Sequence, residues 1–205
     1  MCAAAFATLL LGAASGCLPE RGELDMAGGA TIAADCPIAD EVVAEACDDV
    51  YCGGATVEVG TGGADFETVD EGELLPLHFG SNGGAGGYHL FLSMEAENLC
   101  PILWLEPRIE AEVDGRMVTL YSQRLHVLAV RPDQRFSRQG YWGIRAPIPC
   151  AFWPDDPERD ATCGEFQSRY GHIEDLDIRV SMTVEDHDGR VAQDSRWVNA
   201  GLGFD

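Results

Sequence analysis

From Ala55 onward, apolar and polar residues alternate with a period of two in several separate stretches. Between Tyr88 and Asn98, Leu90, Leu92, Met94 and Ala96 share one parity, while Ser93, Glu95 and Glu97 hold the other. That spacing sends successive side chains to opposite faces of an extended strand. Ile109, Ala111 and Val113 repeat it against Glu110, Glu112 and Asp114, and Ile178, Val180, Met182 and Val184 repeat it against Arg179, Ser181, Thr183 and Glu185. Asp114-Gly115 and Asp188-Gly189 each follow such a run and precede an Arg. This dipeptide is the strongest short-range signal for a two-residue hairpin. The partner strands are then the stretch from Met117, MVTLYSQRLHVLAV, and the stretch from Arg190, RVAQDSRWVNA. Thr56 to Val59 is a shorter alternating piece, Leu74 to Phe79 is an apolar run interrupted by Pro76, and the Gly-rich stretch from Gly80 to Gly87 reads as a flexible connection into the long strand.

These elements predict an all-β fold, an antiparallel two-sheet β-sandwich with one wet and one buried face per sheet. The final strand-turn-strand, Ile178 to Val184, Asp188-Gly189 and Arg190 to Ala200, resembles the immunoglobulin-like sandwich modules of secreted bacterial proteins. The resemblance covers Ala55 to Ala200 and implies a two-sheet fold of that kind. Four parts follow: residues 1–16 as a signal peptide, 17–35 as a flexible acidic tether, 36–54 as a short Cys-bounded segment, and 55–205 as the sandwich domain. In the third, Asp40, Glu41, Val42, Val43 and Ala46 suit one or two helical turns held by neighbouring cysteines.

Ala3 to Ala14 is an uncharged run of the length of an export-signal core and too short for a stable bilayer span. It ends in Ala14-Ser15-Gly16-Cys17, which resembles the lipobox of bacterial lipoproteins, with Ala14 where the family usually has Leu. The resemblance implies a lipid on Cys17, an acyl anchor in the bilayer and, because Leu18 and not Asp follows the Cys, delivery to the outer membrane. The alternative is an ordinary cleaved signal using Ala13 and Ser15, which would leave the protein periplasmic or extracellular.

With Cys2 in the signal and Cys17 taken by lipid, Cys36, Cys47, Cys52, Cys100, Cys150 and Cys163 remain. An even number in an exported chain reads as three disulfides. Cys150 and Cys163 flank a loop rich in Pro and Asp and are the expected pair, worth about 3 kcal/mol in the chain-entropy model. One further bond would tie the N-terminal segment to Cys100. A zinc site is the alternative for Cys47 and Cys52, whose spacing is looser than that of the usual structural pair.

The formal net charge of −22 comes from 35 acids against 13 basic residues, all of them Arg. It argues against nucleic acid and anionic lipid headgroups as partners. Most of the excess lies before Cys100, where an acidic stalk stays solvated. His78, His89, His126, His172 and His187 form no HxH or HExxH spacing, and Ser81 lacks the G-x-S-x-G context of a nucleophile. Two acidic loops carry the weak calcium candidates, Asp186 and Asp188 in one and Asp155 and Asp156 in the other, although Arg190 and Arg159 interrupt the ligand pattern. No other cofactor is implied. Tyr141, Trp142, Phe152, Trp153 and Phe166 gather around the Cys150 to Cys163 loop, with Trp142 and Trp153 as candidates for contact with an envelope or extracellular protein. The expected function is a non-enzymatic exported lipoprotein presenting a disulfide-stapled sandwich for binding or structural roles. The rival is a secreted hydrolase using loop carboxylates, with or without calcium.

Overall fold

A computed structural model describes residues 30–32, 53–82, 85–100, 102–129, 138–149 and 177–202. Its eleven strands are β1 (Ala30–Ile32), β2 (Thr56–Thr61), β3 (Glu67–Thr68), β4 (Leu74–Asn82), β5 (Ala85–Glu97), β6 (Ile102–Val113), β7 (Arg116–Ser122), β8 (Leu125–Leu128), β9 (Arg138–Pro147), β10 (Asp177–Asp186) and β11 (Val191–Leu202). There is no helix among the described residues, which are all-β. The main hydrogen-bonded path runs β1-β8-β6-β10-β11-β4-β5-β2-β3, with β7 also on β6 and β9 also on β5.

The sheet is mixed rather than purely antiparallel. The exception is the pairing of β11 with β4, which is parallel from Asn199↔Leu74 to Leu202↔Leu77. Past Leu77, β4 changes neighbour and pairs antiparallel with β5, from His78↔His89 to Asn82↔Ala85. One strand therefore links two groups of strands. Pro76 falls in the half of β4 whose ladder is to β11 alone, the kind of edge position where a missing N–H is tolerated. The described residues of the Gly-rich stretch read as a flexible connection instead form the paired ends of β4 and β5, from Gly80↔Gly87 to Asn82↔Ala85.

The predicted alternation carries the core. Leu90, Leu92, Met94 and Ala96 of β5, Ile109 and Ala111 of β6, and Ile178, Val180, Met182 and Val184 of β10 are all buried in one cluster, which Leu103 and Leu105 of β6 join and against which Val113 packs half-buried. Both groups of strands feed that cluster, which is the main source of stability for an all-β domain of this kind.

Asp114 and Gly115 make the expected tight turn between β6 and β7. Both have positive φ, 52° and 72°, as a type I′ turn requires. The second turn is longer than a two-residue hairpin: Gly189 N donates to Asp186 O at 3.0 Å, Asp186 N donates to Arg190 O at 3.0 Å, and Gly189 has φ 75°. This is a three-residue loop closed by a glycine bulge.

The stretch after Met117 is two strands, not one. β8 pairs with Ile102–Leu105 and β7 with Arg108–Val113 along the same edge of β6. Pro107 lies opposite the break. Its carbonyl accepts from Gln123 N on that side, and in an antiparallel strand the N–H would point the same way, so proline leaves the ladder there without a donor. Ala30–Ile32, within the stretch read as tether, pairs with β8 from Ala30↔Leu128 to Ile32↔His126.

Candidate functional site

The register of three neighbouring strands assembles an aromatic and charged patch on the outer face. Leu103 and Leu105 point into the core, so Trp104 points away from it. Trp104 sits opposite His126 on β8 and opposite Glu185 on β10. Arg124 and His187 lie two residues from His126 and Glu185, on the same side. The rings of Trp104 and His126 stack, with centroids 4.1 Å apart and planes 12° apart. The Arg124 guanidinium lies 4.8 Å from the Trp104 centroid and bonds Glu185 at 3.1 Å. His187 projects from the β10–β11 turn and brings its Nε2 to 3.3 Å from Nε2 of His126. Trp104 is half-buried, Arg124 and His187 are exposed, and His126 is 8% exposed. Burial, and secondarily the facing His187, holds the pKa of His126 below the ordinary histidine value. Its imidazole is consequently neutral at pH 7.

A row of charges continues from this patch along the same face. Arg108 bonds Glu106 at 2.7 Å, and Arg179 donates through Nε and Nη2 to Glu110, which is buried apart from this contact. Such a face is polar but highly ordered.

A second feature is a cleft of about 380 Å³ lined by Thr56, Val57, Glu58, Glu95, Glu97, Asp194 and Arg196. Glu58 and Glu95 stand directly opposite each other across β2 and β5, a like-charge pairing that costs stability. Asp194 is structurally engaged: one carboxylate oxygen accepts from Val59 N at 3.0 Å and the other contacts Arg196.

A third feature is His89, which is 3% exposed on β5 with neither ring nitrogen in a hydrogen bond of good geometry. Burial lowers its pKa, and Arg145 and His78 lower it further, against a weaker opposing contact with the Gly87 backbone. Phe91 packs edge-on to its ring at 5.0 Å.

Of the positions singled out in the sequence, Asp186 is 3% exposed and works as a structural acceptor. Its Oδ1 accepts from Asp188 N at 3.0 Å and Arg190 N at 2.9 Å, and its Oδ2 accepts from Cys100 N at 3.1 Å. Asp188 is exposed at the tip of the same turn. Among the described residues, no group of three or more His, Cys, Asp or Glu side chains converges as a metal cage. Cys100 is fully buried and disulfide-bonded. Trp142 is half-buried on β9, its ring so close over Gly140 that a Cβ there would sit 2.6 Å from a ring carbon. Tyr141 beside it belongs to the core. Cys17, Cys36, Cys47, Cys52, Cys150, Cys163, Asp155, Asp156 and Trp153 lie outside the described residues, as do the signal and most of the tether and Cys-bounded segment.

The Trp104 patch was not anticipated. Its histidines are 61 residues apart, and only the order β8-β6-β10 brings them together. The one local signal was Trp104 itself, a large aromatic on the polar parity of an alternating strand.

Neither a family model nor a curated protein matches the chain. Among solved structures it is similar to the sporulation control protein Spo0M of Bacillus subtilis, with 10% identity over 74% of this chain and a TM-score of 0.39. The chain spans about half the length of that protein, 51%. A likeness of this size carries no argument about function.

Proposed function

We propose that the chain is an exported lipoprotein, anchored at the outer membrane through lipid on Cys17, whose β domain is a non-enzymatic binding module. The observation that carries the export half is the uncharged run Ala3 to Ala14 ending at Ala14-Ser15-Gly16-Cys17. The binding half is supported by the outer face around Trp104, where an aromatic and an arginine are held rigid by stacking and an ion pair, the residue types that dominate protein contact surfaces. Within this reading the domain is a two-sheet, immunoglobulin-like sandwich stapled by disulfides among Cys36, Cys47, Cys52, Cys100, Cys150 and Cys163. The sharing of one core by two groups of strands joined through β4 supports that finer description. The partner is an envelope or extracellular protein, with Trp104 and Arg124 joining Trp142 and Trp153 as contact candidates. Metabolic labelling with a fatty-acid precursor tests the anchor: label enters the native chain and is absent from Cys17→Ala, whereas equal incorporation in both overturns it.

One observation favours a second reading. The cleft between Glu58, Glu95, Glu97 and Asp194 gathers carboxylates of the sort a secreted hydrolase would use, alone or with calcium. A melting temperature that rises with calcium and falls with chelator, and that loses this response in Glu95→Gln, would favour the cleft over the Trp104 face.

A further inference from the structure

We propose that His126 and His187 form a two-imidazole site for a divalent first-row transition ion of the Zn²⁺ and Cu²⁺ class. The inference goes beyond the binding-module reading and stands whether or not Cys17 carries lipid. Its basis is geometric. Two imidazole nitrogens that each sit about 2.0–2.1 Å from one tetrahedral ion lie about 3.3–3.4 Å from each other. The Nε2 atoms of His126 and His187 are 3.3 Å apart. With the rings inclined at 43° and their centroids 5.5 Å apart, the two nitrogens face each other in a ring-to-ring hydrogen bond, and a rotation of the exposed His187 ring would aim both at one ion in its place. Both nitrogens come from the same edge of the ring, the Nε2 edge commonly used for metal ligation.

The surroundings suit the role. His126 is fixed by its stack on Trp104, which leaves little rotamer freedom to lose on binding. His187 sits on an exposed turn that is itself braced by the Asp186 carboxylate, so its ring can turn toward an ion that approaches from solvent. Arg124 is drawn over Trp104 and paired with Glu185, and the acidic Asp188 adjoins His187. No third protein ligand converges among the described residues. The remaining coordination positions would then be taken by water or by a side chain of a bound partner, which makes the site an open one. Borderline imidazole donors select this class of ion over Ca²⁺ or Mg²⁺, which take oxygen ligands.

The test is a titration of the full oxidised chain, after chelator treatment, with ZnCl₂ and with CuCl₂ at pH 7.5, followed by calorimetry. His187→Gln is the decisive variant because the residue is exposed, and its metal-free melting temperature checks that the fold is kept. His78→Gln is the control for stray imidazole binding. One ion is expected per native chain, with affinity at least about tenfold lower in His187→Gln and unchanged in His78→Gln. Nuclear magnetic resonance of the imidazole nitrogens should show both Nε2 signals shifting together on addition of Zn²⁺. Absence of binding to the native chain, equal affinity in His187→Gln, or a shift confined to one ring would overturn the proposal.

Discussion

Replacing Asp186 by Ala removes a carboxylate that serves three backbone N–H groups, those of Cys100, Asp188 and Arg190, at 3.1, 3.0 and 2.9 Å. Cys100 is fully buried, so loss of the carboxylate that its amide bonds costs about 1–3 kcal/mol. The two turn amides lie beside exposed residues, where water can replace the lost oxygen, and each contributes about 0.5–1 kcal/mol. The expected total is about 2–5 kcal/mol, a large share of the stability of a single domain. Asp186→Asn keeps one acceptor oxygen and should cost about half as much. The assay is equilibrium urea denaturation at pH 7, with chelator and with added calcium. A structural acceptor gives the same loss under both conditions. A loss in Asp186→Ala smaller than about 0.5 kcal/mol, or one seen only when calcium is present, would refute the structural assignment and return Asp186 to the role of calcium ligand.

Two further substitutions probe the domain. His89 is buried neutral with no well-made hydrogen bond, so His89→Leu should stabilise the protein. The gain should grow as pH falls. The folded-state pKa of His89 lies below its unfolded value of about 6.5, so the unfolded chain takes up the proton first and native stability drops as pH passes below about 6.5. Urea midpoints of both proteins at pH 7.5, 6 and 5 check this, and a difference independent of pH would contradict it. Gly143→Ala should destabilise by about 1–2 kcal/mol or more, since Gly143 has φ 77° and an added Cβ would meet Gly63 O at 2.8 Å. Thermal melts would show it, and an unchanged melting temperature would mean that β9 relaxes freely where its register against β5 shifts between Leu92 and Met94.

Local chemistry made part of this fold legible. Asp114-Gly115 announced its turn because only small or short polar residues take two consecutive positive φ values, and the period of two in β5, β6 and β10 marked most of the core residues, although Ser93, Glu110 and Ser181 of the polar parity are buried as well. Long-range features left no such trace. A parallel contact between β4 and β11 joins residues more than a hundred positions apart, and nothing in Leu74 to Phe79 marks where β4 exchanges one neighbour for another. Pro107 held the reason for the β7–β8 break, but its effect falls on a partner strand. The candidate site was less readable still. Asp186 reads as a ligand in an acidic run, yet its carboxylate caps backbone amides, while His126 and His187 look isolated until β6 is laid between β8 and β10.

The proposed anchor makes Cys17 the lipid-bearing N-terminus of the mature protein. It is tested most directly by intact-mass and N-terminal peptide mass spectrometry of the protein purified in detergent from membranes of a producing cell. The expected result is a chain that begins at Cys17 with the mass of a lipid-modified cysteine. A chain that begins at Met1, or at any position with Cys17 unmodified, would contradict it.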